Sequence, residues 1–304
     1  MSTVQVLLAT YNGGAYLAQQ LDSILAQQGV TLRVLVRDDG STDNTLAVVA
    51  DYQQRYPQQV QLLRDDHAPA GAAANFLHLL AAESDADYVA FCDQDDCWLP
   101  DRLKIAMDAL AAVDGSLPAL YFSAYLIGNA QLEPVGRSLL FQRPPGFGNA
   151  LVQNIVIGAT TVINRRLWQC LREPGLDARD MVMHDWWAYL LASAFGRVIY
   201  DPEPRIIYRQ HAANVVGTGQ GLGKRWRRLR GFFSGADHGR VSRQARYFRQ
   251  RHGKQLSAAQ RQLLDDVYLS GGLCALQRLL ARQVYGMRGR DDLVLAVRLA
   301  LGLH

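Results

Sequence analysis

Only four cysteines occur in 304 residues, and none stands in a CxxC spacing. A disulfide framework and a cysteine-built zinc centre are both excluded on that count. Cys92 and Cys97 flank an acidic stretch with no histidine beside them, so packing is the expected role. An uncharged apolar run of about 18 residues is also missing, which excludes a multi-pass membrane protein. The opening residues, Met1-Ser2-Thr3-Val4, lack a basic segment followed by an apolar core. The expectation is therefore a cytoplasmic protein with reduced thiols. Acids are nearly missing from one segment. Residues 221–254 hold eleven Lys and Arg against Asp237 alone, a net charge of +10. The remaining 21 basic and 27 acidic side chains leave the rest of the chain at −6. A mildly acidic body with one basic segment points to a polyanionic partner.

What is present is a run of strand–helix units. Val4–Ala9, Leu32–Arg37, Val60–Leu63 and Tyr88–Cys92 are short apolar, β-branched runs. Between them lie helix-period stretches over 15–28, 43–56 and 73–82. This alternation predicts a mostly parallel sheet with helices on both faces, an α/β fold. Pro100 stands where a first-turn proline opens a helix through Leu103, Met107 and Leu110. Trp186–Phe195 reads as a helix stopped by Gly196. The glycine-rich stretch 217–223 is the expected linker. It divides a catalytic unit, 1–215, from a mainly helical extension, 216–304, whose last part, 258–303, reads as two amphipathic helices.

Ligands of open α/β sheets bind at the carboxyl ends of the strands. Here those ends read Thr10-Tyr11-Asn12-Gly13-Gly14, Asp38-Asp39-Gly40-Ser41 and Asp93-Gln94-Asp95-Asp96. All three are expected on one rim, which collects five carboxylates and an exposed aromatic. Three carboxylates within four residues repel one another, and a hard divalent cation, Mg²⁺ or Mn²⁺, relieves that repulsion while bridging substrate phosphates.

The segments ATYNGGAYL, VRDDGSTDNT and FCDQDDCWLPDRL resemble, in order and spacing, inverting family 2 glycosyltransferases of the GT-A fold. The DQDD-x-W-x-PDRL run and the later YRQHxxN segment are similar to bacterial rhamnosyltransferases of surface-polysaccharide pathways. The resemblance spans residues 3–215. It implies that Thr10, Tyr11 and Asn12 line the nucleoside, with Tyr11 beside the base. It also implies that Asp39 accepts the pyrimidine imino N–H, that Asp38 supports its turn, and that Asp95 contacts the ribose. Asp96 would hold the metal, with Asp93 sharing that role or bracing the loop. Alignment on DD-x-W-x-P favours Asp95 and Asp96 as the key pair, and alignment on D-x-D favours Asp93 and Asp95; the sequence accommodates both.

The family's general base is a carboxylate of a Glu-Asp pair opening a helix about 90 residues after the acidic motif. Met183-His184-Asp185-Trp186-Trp187 occupies that place, with His184 where glutamate is usual. Asp185 is thus the expected base, against the simpler role of a helix N-cap. His184 is expected to be a satisfied structural or acceptor-side histidine. Arg209 and His211, in Tyr208-Arg209-Gln210-His211, resemble the family's loop over the diphosphate. They imply a phosphate contact and a further metal ligand, or else a polar surface loop. Trp98, Trp186 and Trp187 read as a sugar platform or as core.

The mixture Lys224-Arg225-Trp226-Arg227-Arg228-Leu229-Arg230-Gly231-Phe232-Phe233 suits an interfacial segment on an anionic membrane better than a nucleic-acid site. Enzymes of this kind commonly act on lipid-linked acceptors. The reading is a metal-dependent glycosyltransferase moving L-rhamnose from dTDP-L-rhamnose onto a glycan or lipid-linked glycan, sitting on the inner face of the membrane and open to forming a homo-oligomer. Its rivals are the same fold with a UDP-hexose donor, a nucleotidyltransferase, or a catalytically silent membrane-bound partner. Thr10–Ala15 has no Lys or Arg to grip a triphosphate, which counts against the second. Retention of all the rim aspartates counts against the third.

Overall fold

The structure, a computed structural model, describes residues 2–66, 68, 70–210, 238–270 and 272–300. β1 (Thr3–Thr10), β2 (Thr31–Asp38), β3 (Val60–Leu62) and β4 (Tyr88–Cys92) alternate with α1 (Leu17–Leu25), α2 (Thr45–Arg55) and α3 (Ala72–Ala81). These four strands pair in parallel, in the order β3-β2-β1-β4. The 3.6-residue apolar period of the helices and the β-branched strand runs made this half of the chain readable.

The second half is mixed rather than parallel. β8 (Val162–Asn164) joins β4 antiparallel, and β6 (Ala119–Gly128) then joins β8 antiparallel. β9 (Arg197–Arg209) runs parallel to β6, while the short β5 (Cys97–Trp98) returns antiparallel on β9. β7 (Pro134–Arg137) extends β6 as an antiparallel edge. β5 matters most for function. It begins one residue after Asp96, so the acidic segment is held between the end of β4 and the Ile206–Ile207 stretch of β9.

The sheet is buried on both faces. Val4, Val6 and Leu8 of β1 pack with Leu17, Leu21 and Ile24 of α1 on one face. Leu7 packs on the other with Phe76 and Leu79 of α3 and with α7 (His184–Phe195). Every residue of α7 from His184 to Ala192 is buried. A helix that is apolar all round needs cover on all sides. The sheet and α5 (Phe147–Ala150) supply part of it. α8 (His238–His252) supplies more, with Tyr247 tilted against Trp187 and Phe248 edge-on to it at ring distances of 5.4 and 5.3 Å.

The extension continues as α9 (Ala258–Tyr268), α10 (Gly272–Leu280) and α11 (Gly289–Ala300). Three helices thus stand where the periodicity predicts two. α9 is opened by a Ser257–Gln260 capping box and ends before the Ser270-Gly271-Gly272 break. Phe248, Leu264, Val267, Leu279 and Met287 belong to the same buried cluster as Trp187 and Leu190. The expected boundary near 216 and the glycine-rich stretch 217–223 lie outside the described residues. On either side of them the chain shares one core. No helix among the described residues is long and apolar enough to cross a membrane.

Candidate active site

Register brings the three polar strand ends together. Thr10 pairs with Asp38 across β1 and β2, and Leu8 pairs with Cys92 across β1 and β4, so all three following loops leave one edge of the sheet. The loops then interlock. Gln94 accepts from the Tyr11 amide at 2.8 Å and donates to the Tyr11 carbonyl at 2.9 Å. Asn12 sits at φ 48°, its amide donating to Ser41 Oγ and its Oδ1 accepting from the Thr42 amide, both at 2.8 Å. A Cβ on Gly13 would lie 2.1 Å from Gln94 Oε1, so a side chain there would displace this bracket.

Of the three residues expected around a nucleoside, Tyr11 is the one with a free aromatic face, 57 % exposed. Thr10 is buried, and its hydroxyl donates to Asp38 Oδ1 at 2.9 Å. Asn12 is exposed, but its amide oxygen is spent on Thr42. Asp38 is the turn brace, accepting also from the amides of Gly40 and Ser41 at 3.1 and 2.7 Å. Asp39 is buried. Its Oδ1 accepts from Arg37 Nη1 at 3.2 Å and its Oδ2 from the Gly71 amide at 2.8 Å. Arg37 is itself clamped by Asp65, which raises its already high pKa. With a single donor on Oδ2, Asp39 keeps one lone pair for a further hydrogen bond.

The aspartates after β4 divide by burial. Asp96 is 1 % exposed; its Oδ1 accepts from the Arg209 amide at 3.1 Å and its Oδ2 is buried without a partner. Burial, then the neighbouring Asp95 and Asp93, push its carboxyl well above the usual range. Asp93 and Asp95 are only partly buried. Burial, Asp95 and then Asp185 push Asp93 up to about 7. Asp96, the expected metal ligand, is thus the most buried of the three, and Asp93 and Asp95 are the more accessible pair. The cluster is short of positive charge, and the orphaned Asp96 oxygen shows the same deficit, so the donor set fits a hard divalent cation. Among the described residues no group of three or more ligating side chains converges. His211, the expected further ligand, lies outside the described residues.

Arg209, expected at the diphosphate, is 1 % exposed, and its guanidinium donates to the Asp95 carbonyl at 2.7 Å, to Gln19 Oε1 at 2.7 Å and to the Ala130 carbonyl, with the Tyr16 ring 4.6 Å away. These contacts brace the acidic loop. Trp98 and Trp186 are core residues, not a platform. Trp98 is covered by Arg102 at 3.6 Å, and Trp186 donates to the Ala150 carbonyl at 2.7 Å. Arg102 is fully buried, which pulls its pKa down to about 10, and it donates to the Ala159 carbonyl at 2.8 Å.

Asp185 is not a helix cap. Met183 holds the N-cap position, and Asp185 lies inside the first turn of α7. Its Oδ1 accepts from Asn154 Nδ2 at 3.1 Å and from the Trp186 amide at 2.6 Å; its Oδ2 accepts from the Gly158 amide at 3.0 Å. It is 7 % exposed, and burial raises it to about 6 despite those donors. His184 departs from the satisfied histidine expected. It is 4 % exposed, stacked on Phe76 at 3.8 Å and edge-on to Phe91 at 4.8 Å, and neither ring nitrogen has a hydrogen-bond partner. Burial lowers it to about 3, so it is neutral. Asn154, Gly158 and Gln94 are the site residues that sequence reasoning missed. For the first two, the available signal was an amide and a glycine bounding the apolar stretch Ile155-Val156-Ile157.

The family model of glycosyl transferase family 2 matches residues 5–167. The dTDP-rhamnosyl transferase RfbG of Shigella flexneri is 31% identical over 232 residues, covering 73% of this chain and 78% of its own. The UDP-Glc:alpha-D-GlcNAc-diphosphoundecaprenol beta-1,3-glucosyltransferase WfgD of Escherichia coli is 26% identical over 160 residues, 53% of this chain and 59% of its own. Among solved structures, TarS 1-349 of S. aureus in complex with UDP aligns with a TM-score of 0.56 at 16% identity, covering 88% of this chain and 71% of its own. The mannosyltransferase PcManGT from Pyrobaculum calidifontis, in complex with GDP-Man and Mn2+, aligns at 0.52 and 20% identity, covering 99% and 80%. The last two are likenesses of fold. The extent of the family match, the RfbG similarity and the layout of the strand ends agree: the chain belongs to glycosyl transferase family 2 and has the GT-A fold.

Proposed function

We propose that this glycosyltransferase transfers L-rhamnose from dTDP-L-rhamnose, with inversion, onto a glycan acceptor of a bacterial surface polysaccharide. The observation that carries the reading is the single sheet edge to which the strand register brings Tyr11, Asp39 and the Asp93–Asp96 loop. Tyr11 stacks on the base and Asp39 reads its imino N–H. Asp93 and Asp95 hold a divalent cation, Mg²⁺ or Mn²⁺, which carries charge of the leaving diphosphate when bound. Asp185 takes the proton of the acceptor hydroxyl as that oxygen attacks the anomeric carbon. Its raised pKa suits a base working near neutrality. Support for the donor comes from the printed activity of RfbG, and for the cation from the Mn2+ in the PcManGT complex. WfgD, by its name a UDP-Glc-dependent enzyme, keeps a UDP-hexose donor as the second reading. Calorimetry with Mn²⁺ tests the site: dTDP or UDP should bind more tightly than GDP, and tighter GDP would contradict the role of Asp39.

The proposal extends to an anionic membrane surface. The supporting charge lies in Lys224, Arg225, Arg227, Arg228 and Arg230, with Trp226, Phe232 and Phe233 among them, all outside the described residues. Four further cations of the +10 segment have partners within the fold. Arg249 pairs with Asp265, Arg251 with Glu173 and the Pro174 carbonyl, and Arg240 and Arg243 with the carbonyls of Val182 and Arg179. Each free cation near an anionic surface contributes about 1 kcal/mol. Binding to phosphatidylserine vesicles should therefore fall with salt and with reversal of Arg225, Arg227 and Arg228. Equal binding to neutral vesicles at low salt would contradict it.

A further inference from the structure

We propose that Asn154 and the main-chain amide of Gly158 form a two-point clamp that fixes the Asp185 carboxylate and leaves one lone pair of Oδ2 as its proton-accepting position. The inference rests on the reading of Asp185 as the base. A carboxylate oxygen accepts two hydrogen bonds through its lone pairs. Oδ1 has both, from Asn154 Nδ2 and the Trp186 amide. Oδ2 has one, from the Gly158 amide. The acceptor hydroxyl is therefore directed to Oδ2.

The clamp is rigid on both sides. Asn154 Oδ1 accepts from the Val156 amide at 3.1 Å, which turns its Nδ2 toward Asp185. Beyond Gly158, the Ala159 carbonyl is held by Arg102, and the Ile157 carbonyl accepts from the hydroxyls of Thr160 and Thr161 at 2.9 Å each. Glycine at 158 lets the backbone approach the carboxylate. A Cβ there would stand 3.0 Å from His184 Nε2 and 3.7 Å from Asp185 Oδ2. His184 has little freedom to yield, pinned between Phe76 and Phe91. Its neutral ring excludes water from the carboxylate without adding charge. The titratable groups facing Asp185 are Asp93 from the end of β4 and His184 on its own helix; residues 154–160 contribute neutral donors.

Donors to the ionised form hold a carboxyl pKa down, so removing one raises it. The test is a pH titration of aspartate ¹³Cγ resonances by NMR, with the Asp185 signal identified by its loss in Asp185→Asn. Asn154→Ala should move the Asp185 midpoint up by about one pH unit, a ten-fold change in the proton equilibrium. Asn154→Asp keeps the acceptor for Val156 and replaces only the donor with a like charge, so it should move the midpoint further. Calorimetric binding of dTDP with Mn²⁺ should survive both changes. Folded variants that both titrate where the unmodified enzyme does would overturn the clamp. A midpoint that moves as expected, in an enzyme whose Asp185→Asn variant turns over normally, would leave the clamp and remove the base reading.

Discussion

Asp185→Asn should retain nucleotide binding and lose about 10²–10⁴-fold in turnover, the usual worth of a positioned general base. Asparagine keeps the shape and an acceptor oxygen for Gly158 or Asn154 but has no basic lone pair to take a proton. The pH profile follows from the raised pKa. The base works ionised, so turnover should rise with pH through about 6 and be lost below it. Stability should move the other way. A carboxyl whose folded pKa lies above its unfolded value stabilises the fold at low pH, and that stabilisation is lost as pH rises through the folded pKa. At pH 7.5 Asp185→Asn should therefore melt close to the parent, because relief of the buried charge offsets the hydrogen bond lost where the asparagine Nδ2 meets a donor. A variant that keeps full turnover, with a lowered melting temperature, would make Asp185 a structural residue alone.

Asp95→Ala should remove the Mn²⁺-dependent part of nucleoside diphosphate binding while the fold stays intact. Asp95 is partly exposed on the rim, and its main-chain carbonyl accepts from Arg209. Asp93→Ala should weaken the same binding less. Asp96→Ala should behave differently. Its carboxyl ties the acidic loop to the Arg209 amide, so the expected loss is in stability as well as binding. Calorimetry with dTDP and MnCl₂, beside a thermal melt, separates the cases. Undiminished binding by Asp95→Ala would place the cation elsewhere.

Much of this site was legible because the signals are local. The parallel half declares itself through apolar runs of strand length with helix-period spacers. The rule that ligands gather at carboxyl strand ends then selects Tyr11, Asp39 and the Asp93–Asp96 run. What stayed hidden depends on tertiary contact. Nothing local distinguishes Asp95 from Asp96; their exposure is decided by β5 turning back onto β9, a two-residue pairing with no periodic signal. Arg209 reads as a free cation in sequence and is consumed by carbonyls 79 and 114 positions away. The partners of Asp185 lie 27 and 31 residues upstream, in a loop whose sequence shows one amide and one glycine. Two cations of the basic segment, Arg249 and Arg251, are likewise paired with distant acids, Asp265 and Glu173.

Proton NMR of dTDP-L-rhamnose turnover in the presence of Mn²⁺ and a glycan acceptor, or water in its place, tests the central claim most directly. The account predicts consumption of the β-linked donor with release of dTDP and first appearance of the α-anomer, in the acceptor linkage or as free rhamnose. Parallel samples of UDP-glucose separate the two donor readings. A first-formed β-anomer, or no cleavage of either donor by protein that binds dTDP and Mn²⁺, would contradict inverting transfer at this site.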